Sequence, residues 1–212
     1  MSSHTTTPQA KSIAPVVPRL KSERPQAYPI SVAMFDKMIA AGVFPPKNRI
    51  FLWNGRLVEK MTKNPPHVFA QNRLVKFFQS FALQGWFVEQ DQPVTLGEKS
   101  VPEPDLKVVR GSDEDFRKKR PEASDISLAV EVSDSSLPLD TRSVLRKYAR
   151  AGIPVYWVVN IPDARIEVYS DPTGPDRRPA YRSRRDYGLE EEAPVILDGR
   201  EVGKIAVKNV MP

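Results

Sequence analysis

Three charged residues in the middle of the chain have the types and spacing for phosphoester chemistry. Asp105 follows Pro104 at the start of a predicted strand, and Glu131 lies in the nearly continuous apolar run 126–132. A carboxylate in such a run is unfavourable unless it is paired or bound to a metal ion, so Glu131 is the strongest anomaly in the sequence. Lys147 lies at the border of the inward face of a predicted helix. We expect these three side chains to meet at one end of a sheet.

Two carboxylates and an ammonium at one point predict a site for a hard divalent cation. Mg²⁺ takes oxygen ligands in octahedral geometry and keeps several waters, so Asp105, Glu131, the backbone carbonyl of Val132 and a phosphate would suffice. Bound Mg²⁺ (or Mn²⁺) lowers the pKa of a water and stabilises charge on phosphorus. Lys147 would orient the nucleophile or stabilise that charge. The predicted chemistry is phosphodiester hydrolysis.

Each of these residues also has a purely structural interpretation. Asp105 is an acid after a proline, which is common where a turn leads into a strand. Glu131 would be satisfied by an ion pair at a strand end, and Lys147 would extend from a helix edge into solvent, as most border lysines do. The sequence leaves both interpretations open.

Composition excludes most other catalytic sites. The 212 residues include no cysteine and only 2 histidines, so disulfides, thiolate metal sites and a histidine metal cluster are excluded. Phosphate-loop, dinucleotide-binding and nucleophile-elbow motifs are missing. The first ten residues are polar, and no run approaches the ~18 apolar residues of a membrane span. We therefore expect a cytoplasmic protein that does not enter a membrane.

Residues 1–30 form a predicted disordered, proline-rich tail, and residues 31–212 form one predicted domain. The tail holds five of the 21 prolines and shows no periodic apolar pattern. It also carries +3 of the net charge of +6, so the domain itself is only mildly basic. Net charge is therefore weak support for nucleic-acid binding.

The apolar patterns predict an α/β domain with a mixed sheet flanked by helices. Short predicted helices and strands come first in the chain, and a predicted β-α-β unit follows over 126–159. Gly152 ends the helix of this unit. The predicted elements are a helix from Ser31 to Gly42, a hairpin at Asn54-Gly55, a helix over 67–83, strands at 87–89, 93–96 and 105–109, and hairpins near 164–169 and 198–199.

Several short motifs in order resemble the Uma2 (DUF820) family of restriction-endonuclease-like proteins, within the PD-(D/E)xK nuclease superfamily. They are Pro104-Asp105, then Glu131-Val132-Ser133, then the run from Lys147 to Trp157, KYARAGIPVYW. The resemblance extends from about Ser31 to Tyr169. It implies a restriction-endonuclease-like core, in which Asp105 and Glu131 bind the metal.

The resemblance also suggests roles for other positions. The superfamily lysine normally lies two residues after the second acid, where this chain has Ser133, and Lys147 matches a lysine displaced to the following helix. Glu59 matches an upstream acid that takes part in metal binding or activates a water. His67, at the first turn of a helix, is a candidate accessory residue. Asn160 stands where family members often have aspartate, and we assign it no catalytic role.

We therefore predict a metal-dependent endonuclease that hydrolyses DNA. The alternative is a catalytically silent nucleic-acid-binding or regulatory module of the same fold, and a third reading is an enzyme acting on RNA or a nucleotide. Cutting both strands calls for two sites, which favours a homodimer. The arginines between Arg177 and Arg185 are candidates for phosphate contacts or a solvated surface.

Overall fold

The computed structural model describes residues 26–45, 49–80 and 84–212. Its helices are α1 (Val32–Ala40), α2 (Pro65–Gln79), α3 (Leu137–Leu139) and α4 (Leu145–Ala151), with a π-helical turn (Asp140–Val144) between the last two. Its strands are β1 (Ile50–Trp53), β2 (Arg56–Glu59), β3 (Trp86–Gln90), β4 (Leu106–Arg110), β5 (Ile126–Ser133), β6 (Val155–Asn160), β7 (Arg165–Pro172), β8 (Tyr181–Gly188), β9 (Glu192–Leu197) and β10 (Arg200–Ala206).

A six-stranded mixed sheet forms the centre of the molecule. Its strand order is β3-β4-β5-β6-β7-β8, and all neighbours are antiparallel except β5 and β6. The parallel pair is the predicted β-α-β unit, and Gly152 ends its helix with a φ of 78°. This architecture confirms the predicted α/β class.

Each face of this sheet is covered by different elements. Helix α2 and the β9–β10 hairpin pack on one face, around the buried Trp157. Helix α4 covers the other face through Tyr148, whose ring packs edge-on against Tyr156 at 5.1 Å between centroids. Both faces of β5 are therefore buried, as its continuous apolar run predicts.

The β1–β2 hairpin and α1 form a smaller layer beside the sheet. Asn54 and Gly55 have φ values of 50° and 75°, which confirms the predicted turn with two positive φ angles. Ser31 caps α1, since its side chain accepts a hydrogen bond from the Met34 amide at 3.2 Å. Phe35 and Leu52 are buried between the two elements.

The structure corrects two predicted elements. Helix α2 begins at Pro65 rather than residue 67, because the Asn64 side chain caps it, and residues 81–83 lie outside the described part of the chain. The predicted strand at 93–96 is wrong, because this segment makes only one isolated bridge, at Thr95. The Val94 and Leu96 amides instead donate within their own loop, to the carbonyls of Pro102 and Ser100, and Pro93 has no amide hydrogen to donate.

Most of the predicted tail, residues 1–25, lies outside the described residues. From Ile30 the chain is joined to the domain, because its amide donates to the Gly55 carbonyl at 2.9 Å. The limits of the tail and the domain therefore stay a prediction. None of the described helices is long and apolar enough to cross a membrane.

Candidate active site

Asp105 and Glu131 lie side by side at one end of the central sheet. Asp105 precedes β4, and Glu131 is near the end of β5, the antiparallel neighbour of β4. The Asp105 amide lies 3.3 Å from Glu131 Oε2, and Asp105 Oδ2 accepts a hydrogen bond from the Val132 amide at 2.9 Å. The structure thus brings Asp105 and Glu131 together, and Val132 contacts Asp105 through its amide, whereas the Val132 carbonyl as a metal ligand stays a prediction.

The Asp105 carboxylate is buried, with 3% of the residue exposed, and two lysines and a histidine surround it. Lys63 Nζ lies 3.0 Å and Lys60 Nζ 3.9 Å from its Oδ1, and His67 Nε2 lies 3.2 Å from its Oδ2. Burial opposes its ionisation, but His67, Lys63 and Lys60 outweigh burial and lower the pKa of Asp105 to about 2. Asp105 is therefore an anion at neutral pH.

The start of α2 positions the groups that face Asp105. Asn64 caps the helix by accepting a hydrogen bond from the His67 amide at 3.1 Å. His67 and Gln71 are four residues apart and so lie on one side of α2, and Lys63 lies just before the capping residue Asn64. Gln71 donates to the Asp105 carbonyl at 2.8 Å and accepts from Lys63 Nζ at 2.8 Å. Helix α2 thereby ties Lys63 and His67 to the end of β4.

Glu131 has fewer compensating charges than Asp105. Its Oε1 accepts a hydrogen bond from the Tyr148 hydroxyl at 2.7 Å. Burial, followed by the negative charges of Asp105 and Asp140, raises the pKa of Glu131 well above its usual value, and Lys60 only partly opposes this. The ionised form of Glu131 is therefore disfavoured in this site, and an added cation would stabilise it.

The structure does not bring Lys147 to the two carboxylates. Its Nζ donates instead to Asn54 Oδ1 and, at 3.1 Å, to Ser100 Oγ, and it lies 5.3 Å from the centre of the Trp53 ring. The predicted meeting of Asp105, Glu131 and Lys147 therefore needs correction. The physical reason is that Lys147, a border residue of α4, extends across the β1–β2 hairpin rather than towards the end of β5.

The remaining predicted residues have distinct positions. Glu59 ends β2, is exposed, and lines the same cavity as Asp105. His67 contacts Asp105 directly, as described above. Asn160 is buried and donates to Glu167 Oε1 at 2.8 Å.

The sequence interpretation missed several groups of the site. Lys60 and Lys63 supply the ammonium groups, and both also pair with Asp91. Asp140, at the start of the π-helical turn, accepts hydrogen bonds of 2.6 Å from Ser133 Oγ and Ser136 Oγ. The sequence signal that could have identified Lys63 is its position directly before the helix start Asn-Pro-Pro. No sequence signal identifies Lys60 or Asp140.

The donor set fits a divalent metal ion with few protein ligands. Asp105 and Glu131 offer hard carboxylate oxygens, and the unbalanced charge of Glu131 favours a cation. In the described part of the chain, no three His, Asp or Glu side chains converge as a complete metal cluster. Water, a backbone carbonyl and a substrate phosphate would therefore complete the coordination, as Mg²⁺ commonly allows.

Three of the five arginines between Arg177 and Arg185 have carboxylate or aromatic partners. Arg182 Nη1 lies 2.9 Å from Asp171, and Arg184 is bonded to Asp186 at 2.7 Å and also paired with the buried Glu167. The Arg185 guanidinium lies 4.7 Å from the centre of the Tyr187 ring. Much of the positive charge on β8 is thus compensated within the protein.

Two comparisons with known proteins identify the family and the fold. The family model of Uma2, described as "Putative restriction endonuclease", matches residues 32–199. The crystal structure of "a putative nuclease belonging to DUF820" from Anabaena variabilis ATCC 29413 has a TM-score of 0.62 and 14% sequence identity, over 86% of this chain and 97% of that chain. At that identity the likeness shows a shared fold. No curated protein matches this chain. Because the family model spans most of its length, the chain belongs to the Uma2 family.

Proposed function

We propose that this protein is a metal-dependent nuclease that hydrolyses phosphodiester bonds in DNA. The observation that carries the proposal is the pair Asp105 and Glu131, at the floor of an open cavity, with Lys63 Nζ 3.0 Å from the Asp105 carboxylate. The carboxylates would hold Mg²⁺ or Mn²⁺, which supplies charge stabilisation and an activated water when it is bound.

The chain's own residues bind and orient the substrate. Lys60 and Lys63 provide positive charge at the cavity floor, where a phosphate would meet the carboxylates. Tyr148 fixes Glu131 by its hydrogen bond, and Gln71 fixes the backbone of Asp105. We assign to Lys63 the role of the superfamily lysine, because its ammonium reaches Asp105 and that of Lys147 does not. Glu59, at the rim, is a candidate third acid.

Cleavage of labelled DNA with Mg²⁺, with Mn²⁺ and with a chelator tests the proposal. We expect product only when a divalent metal is present. Glu131→Gln keeps the size of the side chain and should lower the rate by at least about 100-fold. Glu190→Gln, an exposed carboxylate paired with Lys208, is the matched control and should retain the wild-type rate. Unchanged cleavage by Glu131→Gln would show that the site assignment is wrong.

The two candidate lysines can be separated by one pair of variants. Methionine keeps most of the lysine's length and removes the charge. We expect Lys63→Met to lower the cleavage rate by about 100-fold and Lys147→Met by less than about threefold, because of these two lysines Lys63 alone lies beside Asp105. Single-turnover rates at saturating metal are the measurement. The reverse order would favour the role that the sequence suggests for Lys147.

The silent module remains the alternative function. It would bind DNA with an affinity that falls as salt rises, yet yield no product at any metal concentration. RNA and nucleotide phosphoesters belong in the same assay, since activity on these alone would replace DNA as the substrate.

A further inference from the structure

The cavity that holds Asp105 and Glu131 also has an apolar wall. Its volume is about 370 Å³, which lies within the range of pockets that enclose small molecules. The apolar side chains lining it are Phe51, Trp53, Val58, Met61, Leu139 and Val144. Of these, Val58, Met61 and Leu139 are exposed to solvent. One open cavity thus joins a charged floor to an apolar surface.

The β1–β2 hairpin supplies three of these six side chains, Phe51, Trp53 and Val58, and is itself held against the domain. Val58 pairs with Phe51 across the hairpin, and both line the cavity. On the opposite face, Leu57 pairs with the buried Leu52. The Leu52 carbonyl accepts a hydrogen bond of 2.7 Å from the Val101 amide, which ties the hairpin to the domain. The apolar wall is therefore a fixed surface beside the carboxylates.

A nucleotide with an unpaired base matches both parts of the cavity. Its phosphate suits the floor, where Lys60 and Lys63 add positive charge, and its base is a flat group that stacks on aromatic rings. Trp53 and Phe51 provide such rings, 6.2 Å apart and nearly perpendicular. In a regular duplex the base faces are covered by stacking, and a base enters a pocket only after leaving the helix.

We propose that this site takes an unpaired nucleotide, with the phosphate at the carboxylates and the base against Trp53, Phe51 and Val58. The inference rests on the proposed nuclease function and names its substrate class. That class comprises single-stranded DNA and the unpaired strands of flaps. Regular duplex DNA is a poor substrate, because its bases cannot reach the wall.

The test uses one labelled strand in three forms: alone, in a blunt duplex, and as the unpaired flap of a duplex. With Mn²⁺ or Mg²⁺ we expect the single strand and the flap to be cut at least about tenfold faster than the blunt duplex, since stacking of a base is worth roughly five- to hundredfold in binding. Cleavage of the blunt duplex at the rate of the single strand would overturn the inference and leave the nuclease function intact.

Two variants of adjacent residues test the apolar wall itself. Val58 and Leu57 are 36% and 38% exposed and point to opposite faces of β2. Val58→Asp places a carboxylate on the wall and should lower cleavage of the single strand at least about tenfold more than cleavage of the duplex. Leu57→Asp adds the same charge on the other face and should leave the ratio unchanged. An equal loss on both substrates in Val58→Asp would contradict the base contact.

Binding in the presence of a chelator decides the case in which no DNA is cut. The absence of any cleavage would contradict the proposed nuclease function. Fluorescence anisotropy would then show either tighter binding of the single strand, lost in Val58→Asp and kept in Leu57→Asp, or equal binding of both DNA forms. The first result supports the unpaired-base site, and the second overturns it.

Discussion

Asp140 is a second buried carboxylate whose ionised form is disfavoured in the folded protein. Its residue is 5% exposed, and the Ser133 and Ser136 hydroxyls donate hydrogen bonds to its Oδ2. Burial is the main reason that the pKa of Asp140 is raised from 3.8 to about 6, and the negative charge of Asp105 adds to it. An acid with a raised pKa stabilises the fold while it is protonated, and this stabilisation is lost as pH rises through the folded-state pKa.

Asp140→Asn should therefore change how stability depends on pH. Relative to this variant, the wild type should lose about 3 kcal/mol of unfolding free energy between about pH 4 and about pH 7, at about 1.4 kcal/mol per unit of pKa. Urea unfolding at several pH values, with a chelator present, measures the difference. Asp171→Asn, at an exposed carboxylate, should show no such change. A difference that stays constant with pH would contradict the prediction.

At the scale of elements, the cap of α2 connects stability to the site. Asn64 caps α2, and the first turn of this helix carries His67. Lys63 immediately precedes Asn64 in the chain. Ser31 caps α1 in the same manner, on a helix with no residue at the carboxylates. Both residues cap a helix, but only the helix capped by Asn64 carries residues of the site. The two caps therefore form a matched pair of positions for substitution.

Asn64→Ala and Ser31→Ala should each lower the unfolding free energy by about 1 kcal/mol, the usual value of a cap. Only Asn64→Ala should also lower the cleavage rate, by about tenfold, because Lys63 and His67 lose their alignment with Asp105. Asn64→Ser restores a capping oxygen and should recover most of the rate. Equal activity in the two alanine variants would show that the cap does not position the site.

The C-terminal end of α4 depends on Gly152. Its φ is 78°, and a Cβ added there meets nothing within 4 Å. Gly152→Ala should therefore lower the unfolding free energy by about 1–2 kcal/mol through backbone strain alone. Gly152→Asn should cost less, because asparagine tolerates this conformation. Urea unfolding of both variants checks the order.

At the scale of the whole molecule, basic residues differ in how much of their charge is available. On the outer side of α2, Arg73 and Lys76 line a groove with Lys208. Within the described residues neither Arg73 nor Lys76 forms an ion pair, and Arg73 lies over the Phe69 ring at 5.1 Å. Arg182 and Arg184 of β8 pair with carboxylates instead. We expect the α2 side to contact DNA phosphates more strongly.

We replace Arg73 and Lys76 together by glutamine and measure how the binding constant K for single-stranded DNA depends on salt. The magnitude of the slope of log K against log salt should fall by about 1.4, at about 0.7 per phosphate contact. The control is the double replacement of Arg182 and Arg184 by glutamine, which should change the slope by less than about 0.5. Fluorescence anisotropy at several salt concentrations gives both slopes. A larger change in the control would place the phosphate contacts on β8.

The sequence by itself determined the elements whose signals are local. Ser31 marks a helix start, Asn54-Gly55 a hairpin turn, and the apolar run 126–132 a strand buried on both faces. Asp105 and Glu131 were predictable as a pair, since Glu131 is a carboxylate in an apolar run and the order of the motifs adds Asp105. These features depend on backbone preferences and apolar periodicity, which a few consecutive residues encode.

Only the tertiary structure decided which ammonium joins the carboxylates. Lys147 follows the motif order, but its long side chain ends at Asn54 and Ser100. Lys63 precedes α2, far from Asp105 in sequence, and reaches it because the helix packs against the end of β4. The position of a flexible, charged side chain depends on long-range packing and on the nearest oxygens, and local sequence encodes neither.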